Sequence, residues 1–387
     1  MRPEEIILHI GPPKCASTSI QHALRTRKDE LATHGVRAIT RHSDAIADLF
    51  GGHYLNDIVA ARRGAWKGLL QEITRSGSAR VIYSNELLGF ADEAVIQRIT
   101  ESIGAERVSV VLAARPISRI LPSYWQERVK SGSSQSLSEW VDKMVAQGTS
   151  GHELAGNDRF WRAERHDHLA ARWARAIGPN RVNLIVLNEE RPGDTLVALS
   201  QVLGTPSAVF DGVADQSNRS LSMLEAVALQ QLNATLLKQR GGSSNARIIS
   251  TAAANRLLAS EVAGRLQISL PQSAVSAVSA MQSEITAGLQ ESGIRIIGDV
   301  KLLNAQIQVP VDASEQSVSV STAARVAADA VLGALSATGV VQSDDTQSSN
   351  GFTKHRTLLT LRTMIRALSS GIAYRIVLRI RRLFHRS

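Results

Sequence analysis

With Cys15 as its single cysteine, the chain can form no internal disulfide, and its stability has to come from a packed core. That usage fits a reducing compartment. No run of 18 uninterrupted apolar residues occurs, which argues against a conventional membrane-spanning helix. The opening residues "MRPEE" lead straight into a strand-like stretch, so no secretory leader is expected. Also missing is the Gly-Lys-Ser/Thr triplet of a nucleotide triphosphate loop. The apolar run "RVSVVLAARP" (107–116) does not end in the acidic residue that usually completes a magnesium site. A magnesium-dependent NTP enzyme is therefore disfavoured.

Acidic residues are absent from the last part of the chain. From Gly351 to Ser387 there are nine Lys or Arg and no Asp or Glu, whereas residues 1–350 balance, with 35 basic against 35 acidic. The net charge of +9 thus belongs to the tail, and a nucleic-acid partner for the body is not expected. Within the tail, Leu361, Ile365, Leu368, Ile372, Ile376, Ile380 and Leu383 recur at helical spacing. Arg375, Arg379, Arg382 and Arg386 line a neighbouring stripe. Such a basic amphipathic helix (357–387) suits an anionic membrane surface, or else docks on the body or on a partner subunit. A polar linker precedes it at 341–356, and a helical extension at 311–340.

What is present in the body is an alternation. Short apolar runs at 5–10, 79–84, 107–114 and 181–188 read as strands buried on both faces. Segments with helical spacing lie at 18–33, 56–76, 91–103, 135–147 and 160–176, and 221–290 reads as helices interrupted at 239–247. The pattern predicts an α/β fold, a three-layer P-loop-like parallel sheet flanked by helices with a helical C-terminal extension. Ligands of such sheets bind beyond the carboxyl ends of the strands. The first three runs place "GPPKCASTS", "SNELL" and "RPISR" there.

In "IILHIGPPKCASTSIQHAL" (6–24) an apolar run breaks at Gly11, then gives Lys14, then Ser17, Thr18 and Ser19 at the start of an apparent helix. The amides of residues 14–19 suit an anion, because the first N–H groups of a helix lack partners and the dipole favours negative charge. Phosphate bound without magnesium needs a cation from the protein, and Lys14 can be that cation.

At these residues the sequence resembles the P-loop-fold sulfotransferases that use 3′-phosphoadenosine-5′-phosphosulfate (PAPS), of the bacterial, carbohydrate-type branch. "PKCASTSI" (13–20) is similar to that family's P-K-x-G-T-T-x-L loop. The resemblance assigns Lys14, Cys15, Ala16, Ser17, Thr18 and Ser19 to the 5′-phosphosulfate. Ala16 stands where the family usually has glycine, and alanine is comfortable there only at negative φ. "VVLAARPISRILPSYWQERVKSG" (110–132) is similar to the 3′-phosphate motif and implies that role for Arg115 and Ser123. A guanidinium fork and a hydroxyl suit phosphate oxygens, although Arg115 can also simply pair with a carboxylate. "VIYSNELL" (81–88) resembles the stretch carrying the general base, which falls on Glu86; read alone, Glu86 is also a helix-start carboxylate. "QSNRSLSMLEA" (216–226) looks like an element that closes over the 3′-phosphate through Arg219 and Ser220. It reads equally as a serine-capped helix start burying Leu221 and Leu224. The stretch 183–204 reads as scaffold, and 294–303 is similar to a closing segment of the family.

The resemblance covers 5–225 within a domain at 1–310. It implies transfer of a sulfuryl group from PAPS, with no metal, to a hydroxyl of a glycan, glycolipid or small metabolite. Glu86 is the implied base and Lys14 the implied cation on the leaving oxygen. Cys15 reads as a small loop residue with no histidine-based triad around it. His9 and His22 lie too near the loop to be the base, and His166 and His168 sit in an expected surface helix. The expected location is cytoplasmic, peripheral at the inner membrane face. Two other readings remain: a P-loop kinase-like phosphotransferase, and a non-catalytic membrane-associated scaffold.

Overall fold

The computed structural model describes residues 3–51, 62–149, 159–213, 219–238, 243–260 and 267–307, together with Val326, Asp329, Ala330 and Leu332. The linker at 341–356 and the basic helix at 357–387 lie outside the described residues, as does most of 311–340.

Six strands form one sheet: β1 Glu5–His9, β2 Val36–Ile39, β3 Arg80–Ser84, β4 Val108–Ala114, β5 Val182–Val186 and β6 Arg295–Ile297. Their order is β2-β3-β1-β4-β5-β6, and every pairing is parallel. The expected α/β architecture is borne out. All seven residues of β4 and all five of β5 are buried, as strands covered on both faces must be. The two edge strands were missed. β2 is four residues long with Arg37 exposed, and β6 three residues with no buried member, so neither carries an apolar run.

The helices are α1 Ser17–Thr26, α2 Lys28–Thr33, α3 Ser43–Leu49, α4 Ala65–Thr74, α5 Glu93–Ile103, α6 Ile117–Lys130, α7 Leu137–Thr149, α8 Arg159–Glu164, α9 His166–Ile177, α10 Asp194–Leu203, α11 Met223–Lys238, α12 Ser243–Ala259 and α13 Val275–Glu291. The expected helix at 18–33 breaks at Arg27, and that at 160–176 breaks at Arg165. Among the described residues no helix is long and apolar enough to cross a membrane.

The chain divides into two compact units. The first comprises Met1–Ile120, Gln147–Ser217 and Ser276–Ile307; the second comprises Leu121–Ala146, Asn218–Val275 and Gln308–Ser387. In the first unit, side chains alternate across the sheet. Ile7, Ile82, Val111 and Ile185 meet Ile20, Ala23 and Leu24 of α1 and Leu199 and Leu203 of α10 in one buried cluster. Helix α9 packs on β4 and β5 and against α5. In the second unit, polar side chains finish the carboxyl end of α6, whose last carbonyls have no intrahelical partner. Asn233 donates to the Val129 and Ser133 carbonyls at 2.7 and 2.9 Å, and Ser250 Oγ donates to Val129 at 3.0 Å.

The first unit positions the candidate site. β1 lies between β3 and β4, so the segments that follow these three strands emerge side by side. Ile7 anchors this centre at 0% exposure. Ile7→Ala should lower unfolding free energy by about 2–5 kcal/mol in denaturant titrations, and a loss below about 1 kcal/mol would contradict its central placement.

Candidate functional site

The loop after β1 is shaped by a close approach. Gly11 has φ 81°, and a Cβ built there would stand 2.9 Å from Glu86 Cβ and 3.0 Å from Glu86 Cα. Only glycine meets both demands. The loop is stitched to β4 as well: Ile10 N–H donates to the Val111 carbonyl at 3.0 Å, and Ala113 N–H donates to the Gly11 carbonyl at 2.8 Å. Cys15 N–H and Ser17 Oγ both donate to the Pro12 carbonyl, at 3.3 and 3.1 Å. Ser17 is therefore buried, and its hydroxyl shapes the loop, while Thr18 faces solvent and Ser19 and Lys14 are half-buried.

Ala16 has φ 56°, which corrects the expectation of a negative angle. Lys14 has φ 66°, so two side-chain-bearing residues adopt the left-handed region, at roughly 1–2 kcal/mol each. The pair turns Cys15 inward to 0% exposure. Helix α1 begins at Ser17 with Ala16 at its cap and no side chain capping it.

Glu86 opens a 3-10 turn, Glu86–Phe90, that follows β3. Asn85 caps this turn, accepting from Leu87 N–H at 3.1 Å and donating to the Tyr83 hydroxyl at 3.1 Å. The Glu86 backbone is thereby fixed against Gly11, and its side chain is half-buried. Beneath the loop, His9 is fully buried with Nδ1 2.6 Å from Ser84 Oγ, and burial lowers its pKa to about 4. It is a neutral strut beneath the loop.

Arg115 follows β4. Its Nε lies 2.6 Å from Glu189 Oε1, and Arg119 Nε lies 3.4 Å from Glu189 Oε2. Sequence reasoning took 183–204 as scaffold and missed Glu189. The acid is legible only once β5 is known to neighbour β4, which sets the segment after β5 beside the segment after β4.

Cys15 shows how closely these groups converge. Burial pushes its thiol well above the ordinary range; the charges of Glu164 and Glu86 push the same way. The Arg115 charge and an N–H donated by the Arg115 backbone oppose them. The loop, Glu86 and Arg115 therefore share one neighbourhood.

His166 was expected on a surface helix and is instead 1% exposed. Its Nε2 lies 3.9 Å from Cys15 Sγ and 3.6 Å from Glu164 Oε2, so the expectation of no histidine around Cys15 is also corrected. The break at Arg165 puts Glu164 and His166 together, which an uninterrupted helix pattern conceals. His168, by contrast, is 54% exposed at its side chain.

Ser123, Arg219 and Ser220 belong to the second unit. Ser123 is half-buried on α6 and Ser220 is exposed. Arg219 forms a bidentate pair with Glu225 at 2.6 and 3.0 Å, which raises its pKa, and also donates to the Leu257 and Ser260 carbonyls at 3.0 and 2.9 Å. Ser222 and Glu225 form a reciprocal cap at the start of α11, with Leu221 and Leu224 buried beside it. A separate cleft runs along edge strand β2, lined among others by Arg25, Lys28, Arg37, Arg41 and Glu72. Neither the loop, Glu86 nor Arg115 lines it.

His9 makes stability depend on pH. The unfolded chain binds a proton near pH 6.5, whereas the folded histidine does so only near 4. Its contribution is complete above pH 6.5 and falls as pH drops towards 4, by roughly 2 kcal/mol between pH 7 and 5. Urea unfolding at the two pH values should show this loss in the native chain and a smaller one in His9→Gln. Equal losses would contradict the buried neutral histidine.

No family model, curated protein or solved structure matches the chain.

Proposed function

We propose that this chain transfers a sulfuryl group from PAPS to an acceptor hydroxyl on a glycan, glycolipid or small metabolite. The observation that carries the reading is the convergence, over three adjacent strand ends, of an anion-ready loop with Lys14, a carboxylate at Glu86 and a guanidinium at Arg115. The uncapped first turn of α1 and Lys14 suit a phosphosulfate, and the cation there replaces a metal on the departing oxygen. Glu86 takes the acceptor proton as the acceptor oxygen attacks sulfur. The bond from sulfur to the phosphate oxygen breaks in line, and adenosine 3′,5′-bisphosphate leaves.

Arg115 binds the 3′-phosphate by exchanging Glu189 for it. Phosphate carries more charge than one carboxylate and matches the guanidinium fork. Arg219 already has five acceptor atoms within its own unit, one of them the Ser220 carbonyl, so it and Ser220 are left out of the proposed site.

Transfer of labelled sulfate from PAPS to a panel of glycans and small alcohols tests the reading. Lys14→Ala should abolish turnover, and Glu86→Gln should reduce it by roughly 10²–10⁴-fold. Undiminished transfer by either variant would remove that residue from the mechanism. Arg115→Ala should weaken binding of PAPS by roughly 10–100-fold, the value of a charge-assisted contact, and leave adenosine 5′-phosphosulfate little changed. Equal weakening of both would contradict the 3′-phosphate role. Phosphate transfer from magnesium-ATP, with none from PAPS, would establish the phosphotransferase reading in its place.

A further inference from the structure

Behind the β1–α1 loop stand three buried side chains with the donor atoms of a metal site. Cys15 Sγ lies 3.9 Å from His166 Nε2, which lies 3.6 Å from Glu164 Oε2. All the donor atoms fall within 4.8 Å of one another, and none of the three residues is more than 1% exposed. The cysteine and histidine are 151 residues apart in the chain, so the fold and not local sequence assembles the group. A zinc ion held tetrahedrally at about 2.3 Å from sulfur and about 2.0–2.1 Å from nitrogen and oxygen sets donor separations of about 3.3–3.6 Å. The 3.6 Å separation lies at the upper end of that range and the 3.9 Å separation slightly beyond it, a difference that small side-chain rotations cover.

We propose that Cys15, Glu164 and His166 bind one zinc ion, which fastens the phosphate loop to the corner between α8 and α9. Charge supports this choice. Burial favours the protonated Cys15 thiol; a bound dication displaces that proton, which leaves a thiolate and a carboxylate whose two negative charges would be costly to bury uncompensated. A dication neutralises both, with the imidazole remaining neutral. A set of one sulfur, one nitrogen and one oxygen donor favours zinc over magnesium or calcium, which take oxygen ligands. The left-handed backbone at Lys14 and Ala16, which turns the thiol inward, is the conformation such an ion holds in place. Since the donors are buried, the ion shapes the loop and takes no step in sulfuryl transfer. The inference stands whatever anion the loop binds.

Cobalt(II) is the probe. The full-length protein, stripped with chelator and titrated with cobalt, should bind one equivalent and develop a thiolate-to-cobalt charge-transfer band, which zinc then bleaches. Cys15→Ser should lose the band. His166→Gln and Glu164→Gln should weaken binding by more than the roughly 10–100-fold that loss of an outer-shell partner causes. Absence of the band in the native chain overturns the proposal, even if every variant fails to fold. Survival of the band in Cys15→Ser also overturns it. No nucleotide is present in these titrations, so the result is separate from the fate of the sulfotransferase reading.

Discussion

At Gly11 the loop after β1 passes so close to Glu86 that no side chain fits between them, and most of the candidate site follows from that contact. The approach is possible because β1 and β3 are parallel neighbours whose ends coincide, with His9 beside Ser84. It brings Glu86 to within one residue's width of the turn that carries Lys14. Pairing of β1 with β4 on its other side delivers Arg115 to the same turn, where its backbone N–H reaches the Cys15 sulfur. Three core strands thus end side by side, with Lys14, Glu86 and Arg115 on the segments that follow them. Sites built on such rigid ends keep the tight geometry that in-line transfer needs.

The electrostatics of the neighbourhood are finely balanced. Lys14 and Arg115 bring positive charge to the loop, while Glu86 and Glu164 act on Cys15 and Glu189 pairs with Arg115. Glu189 pairs with Arg115 through Nε and with Arg119 through its other oxygen, so the guanidinium already faces a carboxylate. Glu164 lies on the inner side, where the zinc ion proposed above would neutralise it together with the Cys15 thiolate. The outer and inner faces of the loop would then each meet their own counter-charge.

Much of the fold was legible because the four central strands are apolar throughout, and burial on both faces demands that composition. The edge strands β2 and β6 escaped because a sheet edge is short and partly solvated, with Arg37 and Arg295 exposed. Lys14 stood out from local order after the first apolar run, whereas Glu86 and Arg115 were singled out by the family resemblance of the segments after the next two. Glu189 could not, because its relevance depends on which strand neighbours which. His166 was misplaced on the surface for a related reason: the break at Arg165 leaves the hydrophobic periodicity of 160–176 almost unaltered while redirecting two side chains. Ala16 shows the limit of reading residue type as conformation. Hydrogen bonds to Pro12 and packing of Cys15 hold it at φ 56° despite its Cβ.

The central claim is a phosphosulfate site whose positive charge comes from the protein. Calorimetric titration of the full chain with adenosine 3′,5′-bisphosphate in magnesium-free buffer addresses it most directly. The account predicts saturable one-to-one binding that magnesium does not strengthen. No binding under these conditions, or binding that appears only with magnesium and extends equally to ATP, would contradict it.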